Sequence, residues 1–325
     1  MSGGSLFDIG SFISRAKSEE FWPDLRSIVD ENSTQSAIVE AVIEKSVNSP
    51  DWAQKFYRTP LPNVKDGSLN FASGVPDIAY TLRAGLLNAQ TLDAFWRKHR
   101  EPKDSYKVLD FGCGSGRILR FPAEFGDRIV VRGCEVNEYA VNWIRENFPC
   151  AVDRIERPFD LGFVTEPVDL IYAWSIFTHF SEREHLLWLE SLAGKLAPGG
   201  IMLLTFKPLT MVDRIETDPA YRKLARAEKL SVAELKEKAA NGYLFYECYD
   251  AERSVQHGVD PVTFGNTFID VGYIRRYWRR FGDVVEIGTA VEGYQDVVVL
   301  KKRKVDGIAG WVGDRIAVLR AALGV

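Results

Sequence analysis

The chain has only four cysteines and four histidines in 325 residues, which leaves little material for a disulfide framework or a metal centre. Cys113, Cys134, Cys150 and Cys248 stand far apart with no C-x-x-C spacing, so they read as free thiols of a reducing compartment, and the protein as cytoplasmic. No His/Cys/Asp/Glu cluster stands at ligand spacing, and no metal is expected. There is no run of eighteen apolar residues, and the start "MSGGSLFDIGSFISRAKSEE" has no basic segment followed by an apolar one, so neither a membrane span nor secretion is expected. An excess of positive charge is missing too. With 41 Lys and Arg against 45 Asp and Glu the formal charge is -4, which gives no electrostatic footprint for DNA or RNA. No internal repeat and no low-complexity tract breaks the pattern.

What is present is apolar and aromatic. With 46% hydrophobic and 12% aromatic residues, the chain can bury a large core in one elaborated domain or two modest ones. Its pattern changes near residue 105. Before it, "QSAIVEAVIEKSV" (35–47) and "AYTLRAGLLNAQTLDAFWRKH" (79–99) place apolar residues at helical spacing, around the Pro/Gly/Asn-rich stretch "RTPLPNVKDGSLNFASGVPD". After it, short apolar runs alternate with amphipathic stretches. The strands expected are 107–110, 129–135, 151–153, 170–174, 201–206, 284–288 and 296–301. This alternation predicts an α/β fold, a doubly wound, Rossmann-like sheet of seven strands preceded by a helical region. Asn137 is placed to cap a helix whose Ala140, Val141, Ile144 and Phe148 share one face. "LAPGG" (196–200) reads as the turn into the fifth strand. The divisions that follow are 1–104, helical; 105–303, the α/β domain; and 304–325, a terminal helix. In "DGIAGWVGDRIAVLRAAL" (306–323), Ile308, Trp311, Val312, Ile316, Leu319 and Leu323 recur at helical spacing, giving an amphipathic face that packs on its own domain, on a second copy or on an assembly partner.

The stretch "YKVLDFGCGSGRILR" (106–120) places Gly112, Gly114 and Gly116 just after the first strand, where doubly wound sheets bind ligands. A dinucleotide fingerprint, G-x-G-x-x-G, needs a third glycine where this chain has Arg117. The observed G-x-G-x-G, with Asp110 two residues before Gly112, resembles motif I of the class I S-adenosylmethionine-dependent methyltransferases. Further stretches follow in that family's order. Glu135 ends the second strand in "VVRGCEVNEYA", "VDRIERPF" (152–159) resembles the adenine segment, and "VDLIYAWSIFTHFSE" (168–182) resembles the fourth strand and its loop. "FGNTFIDVGYIRRYWRRFGDVVEIGTAVEGYQDVVVLKKR" (264–303) is similar to the C-terminal part of a bacterial subgroup often found beside sugar transferases. The resemblance spans 106–303.

The resemblance implies S-adenosylmethionine as cofactor, held by Asp110, Gly112, Cys113, Gly114 and Gly116, with Glu135 and Val136 at the ribose, Asp153 and Arg154 at the adenine, and Trp174 after the fourth strand. The segment "AWSI" lacks the Asn/Asp-Pro-Pro-aromatic signature of DNA amino-methyltransferases, so no nucleic-acid partner is expected. Between strands five and six lies the long insertion 207–281, read as a substrate lid. Its Tyr246 and His257 are candidate contacts to a small molecule or glycan, although such aromatic rings also build ordinary cores. His179 in "SIFTHF" is the candidate general base, or else a hydrogen-bonded structural residue; His257 and Asp296 are rivals. The sharpest expectation is O-methylation of a sugar hydroxyl, with turnover rising through a histidine pKa near about 6.5. The alternatives are methylation of another metabolite and a non-catalytic module that binds S-adenosylmethionine.

Overall fold

The computed structural model describes residues 4–63, 77–256, 258–290 and 293–304. His257 and the helix expected over 304–325 lie outside them. The described residues form two compact units, one up to Ile155 and one from Glu156.

The first unit opens with helices that the sequence caps explicitly. Asp8, Thr34 and Asp77 each accept a backbone N–H at the starts of α1 (Ile9–Ala16), α3 (Gln35–Asn48) and α5 (Ile78–His99). Between them lie α2 (Trp22–Leu25) and α4 (Pro50–Tyr57). Their buried faces meet in an aromatic core. Phe12 packs edge-on against Phe56 at 5.1 Å, Trp52 stacks on Phe56 at 5.1 Å, and Phe7 meets Phe121 at 5.2 Å. The chain then alternates through β1 (Tyr106–Phe111), α6 (Arg120–Phe125), β2 (Ile129–Glu135), α7 (Glu138–Asn147) and β3 (Ala151–Arg154). β1 and β3 flank β2 and run parallel to it, in a register that sets Phe111 opposite Cys134 and Glu135 opposite Arg154. The carboxyl ends of the three strands therefore lie together. Asn137 accepts the N–H groups of Tyr139 and Ala140 and starts α7 as the sequence predicts.

The second unit contains β4 (Val168–Ala173), α8 (Glu182–Lys195) and β5 (Leu196–Pro208), with β4 parallel to β5. β9 (Asp296–Lys301) runs antiparallel between β5 and β8 (Asp283–Thr289). All seven strands expected from the sequence are present. β5 differs in its start: it begins at Leu196, where "LAPGG" reads as a turn. Leu196 pairs with Val168 and Ile201 with Leu170, so the intervening residues bulge out of the ladder instead of ending it.

The insertion folds into α9 (Met211–Thr217), α10 (Pro219–Leu224), α11 (Val232–Lys238), β6 (Tyr243–Tyr246), α12 (Ala251–Gln256), β7 (Asn266–Ile269) and α13 (Val271–Tyr277). β7 pairs in parallel with the end of β5, Lys207 opposite Phe268, and β6 pairs antiparallel with β7. Val212, Ile215, Tyr221, Leu235, Leu244 and Phe268 give the insertion its own apolar core.

In the first unit, α5 crosses the glycine loop at Gly85, where a Cβ would stand 2.3 Å from the carbonyl oxygen of Arg117. Only a residue without a side chain permits that approach. Gly85→Ala is therefore expected to destabilise the fold by about 1–3 kcal/mol, as overpacking does. Urea denaturation measures it, and an unchanged midpoint contradicts the contact.

Candidate functional site

After β1 the chain turns through three left-handed glycines, Gly112 (φ 75°), Gly114 (φ 54°) and Gly116 (φ 83°). At Gly116 the need is steric as well as conformational, since a Cβ there would lie 2.4 Å from the ring of Phe148. The turn is tied to β2. Gly112 and Cys113 both donate their N–H to the carbonyl of Cys134, at 2.9 and 3.1 Å. Gly114 donates to Oε2 of Glu135 at 2.9 Å, while Val136 and Asn137 donate to its Oε1 at 2.8 and 3.1 Å. A carboxylate offers about four acceptor positions, so the three backbone donors leave one, on Oε2. Burial pushes the Glu135 pKa up, and the three N–H groups oppose that shift.

The other first-unit candidates gather around this turn. Asp110 is buried in β1. The Cys113 thiol is buried and pushed well up by desolvation, which makes it a neutral wall of the loop and no nucleophile. Asp153 and Arg154 lie half-buried on β3. Asp153 pairs with Arg132 of the adjacent strand, and Arg154 pairs with Glu138 at 2.9 Å.

In the second unit the loop after β4 carries the remaining candidates. Trp174 is buried, with an indole N–H that has no hydrogen-bond partner among the described residues. Ser175 is left-handed (φ 61°) and held in that state: its N–H donates to Thr205 Oγ1 at 2.7 Å, and its hydroxyl meets the amide of Gln295. His179 Nδ1 lies 2.8 Å from the carbonyl of Gly265. A carbonyl only accepts, so Nδ1 carries the proton and Nε2 keeps its lone pair. Phe264 stacks on the imidazole at 4.9 Å, and the Tyr249 hydroxyl lies 3.2 Å from Nδ1. Desolvation, then the Lys207 and Arg226 charges, lower the His179 pKa to about 3. The imidazole is thus neutral throughout the physiological range, and the ordinary value near 6.5 expected from the sequence does not apply.

Three further residues belong to this cluster. Lys207 ends β5 with its ammonium bonded to Asn266 Oδ1 and 5.5 Å from the Phe268 ring centroid; desolvation lowers its pKa to about 8. Arg226 holds its guanidinium 4.6 Å from the Tyr249 ring centroid. Asp296 stands at the start of β9, half-buried and raised by desolvation. Tyr246 lies in the insertion's core, its hydroxyl donating to Ala225 O at 2.7 Å. Sequence reasoning missed Lys207 and Arg226. A lysine that ends the wholly apolar run "IMLLTF" was a readable signal; Arg226 offered none.

Residues 108–200 match the family model described as a methyltransferase domain. No curated protein matches the chain. Three solved structures are similar to it. The PH0226 protein from Pyrococcus horikoshii OT3 is 15% identical over 66% of this chain and 90% of its own, with a TM-score of 0.46. Magnesium protoporphyrin IX methyltransferase from Synechocystis PCC 6803, with bound SAH, is 14% identical over 72% and 93%, with a TM-score of 0.45. Human N-acetylserotonin methyltransferase, in complex with SAM, is 12% identical over 90% and 70%, with a TM-score of 0.46. The chain therefore carries a methyltransferase domain, and the matched segment holds the glycine turn, Glu135, Asp153, Trp174 and His179.

His185 is the second neutral histidine, fully buried on α8 and lowered to about 3 by desolvation. Both imidazoles have folded pKa values below the unfolded value near about 6.5. Between those values the unfolded chain binds more protons, so stability is lost as pH falls below about 6.5. The urea midpoint should decline between about pH 6.5 and 5, above the carboxylate range, and His179→Gln should shrink the decline. A midpoint that stays flat over that window contradicts the burial of these rings.

Proposed function

We propose that the protein is an S-adenosylmethionine-dependent methyltransferase that methylates a hydroxyl of a small molecule, a sugar hydroxyl in its sharpest form. The observation that carries the proposal is the glycine turn stitched to Glu135 inside a methyltransferase domain. The residues fit the cofactor. Three left-handed glycines bare the backbone, and the remaining acceptor position on Glu135 Oε2 suits a ribose hydroxyl. Asp110, Gly112, Cys113, Gly114, Gly116, Glu135 and Val136 would hold its amino-acid and ribose parts, Asp153 and Arg154 its adenine, and Trp174 would complete the enclosure. When bound, the cofactor supplies an electrophilic methyl carbon on a sulfonium.

The chain's own work is then alignment, exclusion of water and removal of one proton. His179 is assigned that proton. Its Nδ1–H on Gly265 O and the Phe264 ring fix the imidazole, and Nε2 presents the lone pair. The insertion 207–281 is assigned to the acceptor, with Tyr246 serving through the insertion's packing.

Two measurements test these roles. Glu135→Ala should weaken both S-adenosylmethionine and S-adenosylhomocysteine by about 1.5–3 kcal/mol in calorimetry, the worth of a hydrogen bond to a charged group; equal affinity removes Glu135 from the site. With radiolabelled donor and a panel of sugars and sugar nucleotides, His179→Ala should retain cofactor binding but lose about 10²–10⁴-fold in kcat. Since the free imidazole is already neutral, the wild-type kcat/KM should show no limb near pH 6.5; a limb there, or a fully active mutant, contradicts the assignment.

A further inference from the structure

Two cations in the second unit have no anionic partner. Lys207 touches Asn266 Oδ1 and the Phe268 ring, and Arg226 touches the Tyr249 ring. Among the described residues no carboxylate lies within ion-pair distance of either. Elsewhere in this unit, exposed cations such as Lys236 and Arg214 are paired with Asp213 and Asp218. Both unpaired charges bear on His179. A cation kept out of water without a counter-charge is costly, and folded chains avoid the arrangement unless a ligand completes it.

The backbone under Arg226 points the same way. α10 ends at Leu224, and the next turn closes with Arg226 N–H on Lys223 O at 3.0 Å and Ala227 N–H on Arg222 O at 3.1 Å. This is the left-handed helix stop, and its left-handed position normally belongs to glycine. Here Arg226 occupies it with φ 52°. A side chain at that position is held against the local preference, and strain of this kind collects at functional sites. Its guanidinium is what the residue adds, and Tyr249, the ring it covers, also contacts His179.

We propose that Lys207 and Arg226 form an anion subsite beside His179, so that the methyl acceptor carries a phosphate or carboxylate group near the hydroxyl that reacts. The inference rests on the methyltransferase reading for the role of the acceptor, although the subsite itself can be tested without turnover. Its consequence for the chemistry is direct. An acceptor anion neutralises the two charges that hold the imidazole down, and so raises the basicity of Nε2 only when the acceptor is in place.

The experiment is calorimetry of the full chain with three probes: glucose 1-phosphate, glucuronate and glucose. Glucose 1-phosphate, glucuronate or both should bind at least about tenfold more tightly than glucose, and which of the two binds identifies the acid. Lys207→Met and Arg226→Gly should each reduce that binding about tenfold or more, while S-adenosylhomocysteine binds both variants as it binds the wild type. Arg226→Gly restores the favoured residue at the helix stop, so its melting temperature should be unchanged or higher, which separates loss of binding from loss of fold. Equal binding of all three probes, or unchanged anion binding in Arg226→Gly, overturns the subsite. Failure of S-adenosylhomocysteine to bind the wild type instead overturns the methyltransferase reading and leaves the anion result to be judged by itself.

Discussion

The carboxylate of Glu135 is the constraint on which the first unit's site depends. Taking an ionised carboxylate out of water costs several kcal/mol unless hydrogen bonds replace its hydration. Here the replacements are backbone N–H groups of Gly114, Val136 and Asn137. The first belongs to the glycine turn after β1; the other two belong to the step from β2 into α7. One side chain thereby fixes the turn relative to the neighbouring strand, and the turn in turn requires the close approaches at Gly85 and Gly116. The acceptor position left on Oε2 is held in place by the same bonds that hold the loop, so binding and architecture are not separable at this residue.

In the second unit the controlling term is electrostatic. His179 is kept neutral by desolvation and by Lys207 and Arg226, and its tautomer is fixed by the Gly265 carbonyl. A neutral imidazole with a free Nε2 is in the correct form to accept a proton, but a strongly lowered pKa also makes it a weak base. Cations that suppress a base in the free protein and are neutralised by the substrate resolve that conflict, which is why the charge of the acceptor matters as much as its hydroxyl.

Much of this was legible in the sequence, for identifiable reasons. The strands of the α/β core are apolar runs bounded by polar or glycine-rich stretches, and Asn137 announces α7 by the chemistry of its side chain. The glycine spacing with Asp110 and Glu135 placed the first site before any coordinates did. β6 and β7 were not readable, since four-residue strands are too short to show a period and their pairing is made at long range. "LAPGG" misled because its proline and glycines mark a bulge inside β5, where local composition suggests a turn. Arg226 was invisible for a different reason: its importance lies in a left-handed backbone angle that no residue-type rule assigns to arginine. The lowered pKa of His179 likewise depends on charges brought from β5 and from the segment after α10, positions far away in the chain.

The central claim is that the turn from Gly112 to Gly116 and the Glu135 carboxylate form the cradle of a methyl donor, and that a dinucleotide does not belong there. Calorimetry of the wild-type chain against S-adenosylhomocysteine and NADH tests it most directly. The account predicts saturable, one-to-one binding of S-adenosylhomocysteine and none of NADH; preferential binding of NADH would contradict it.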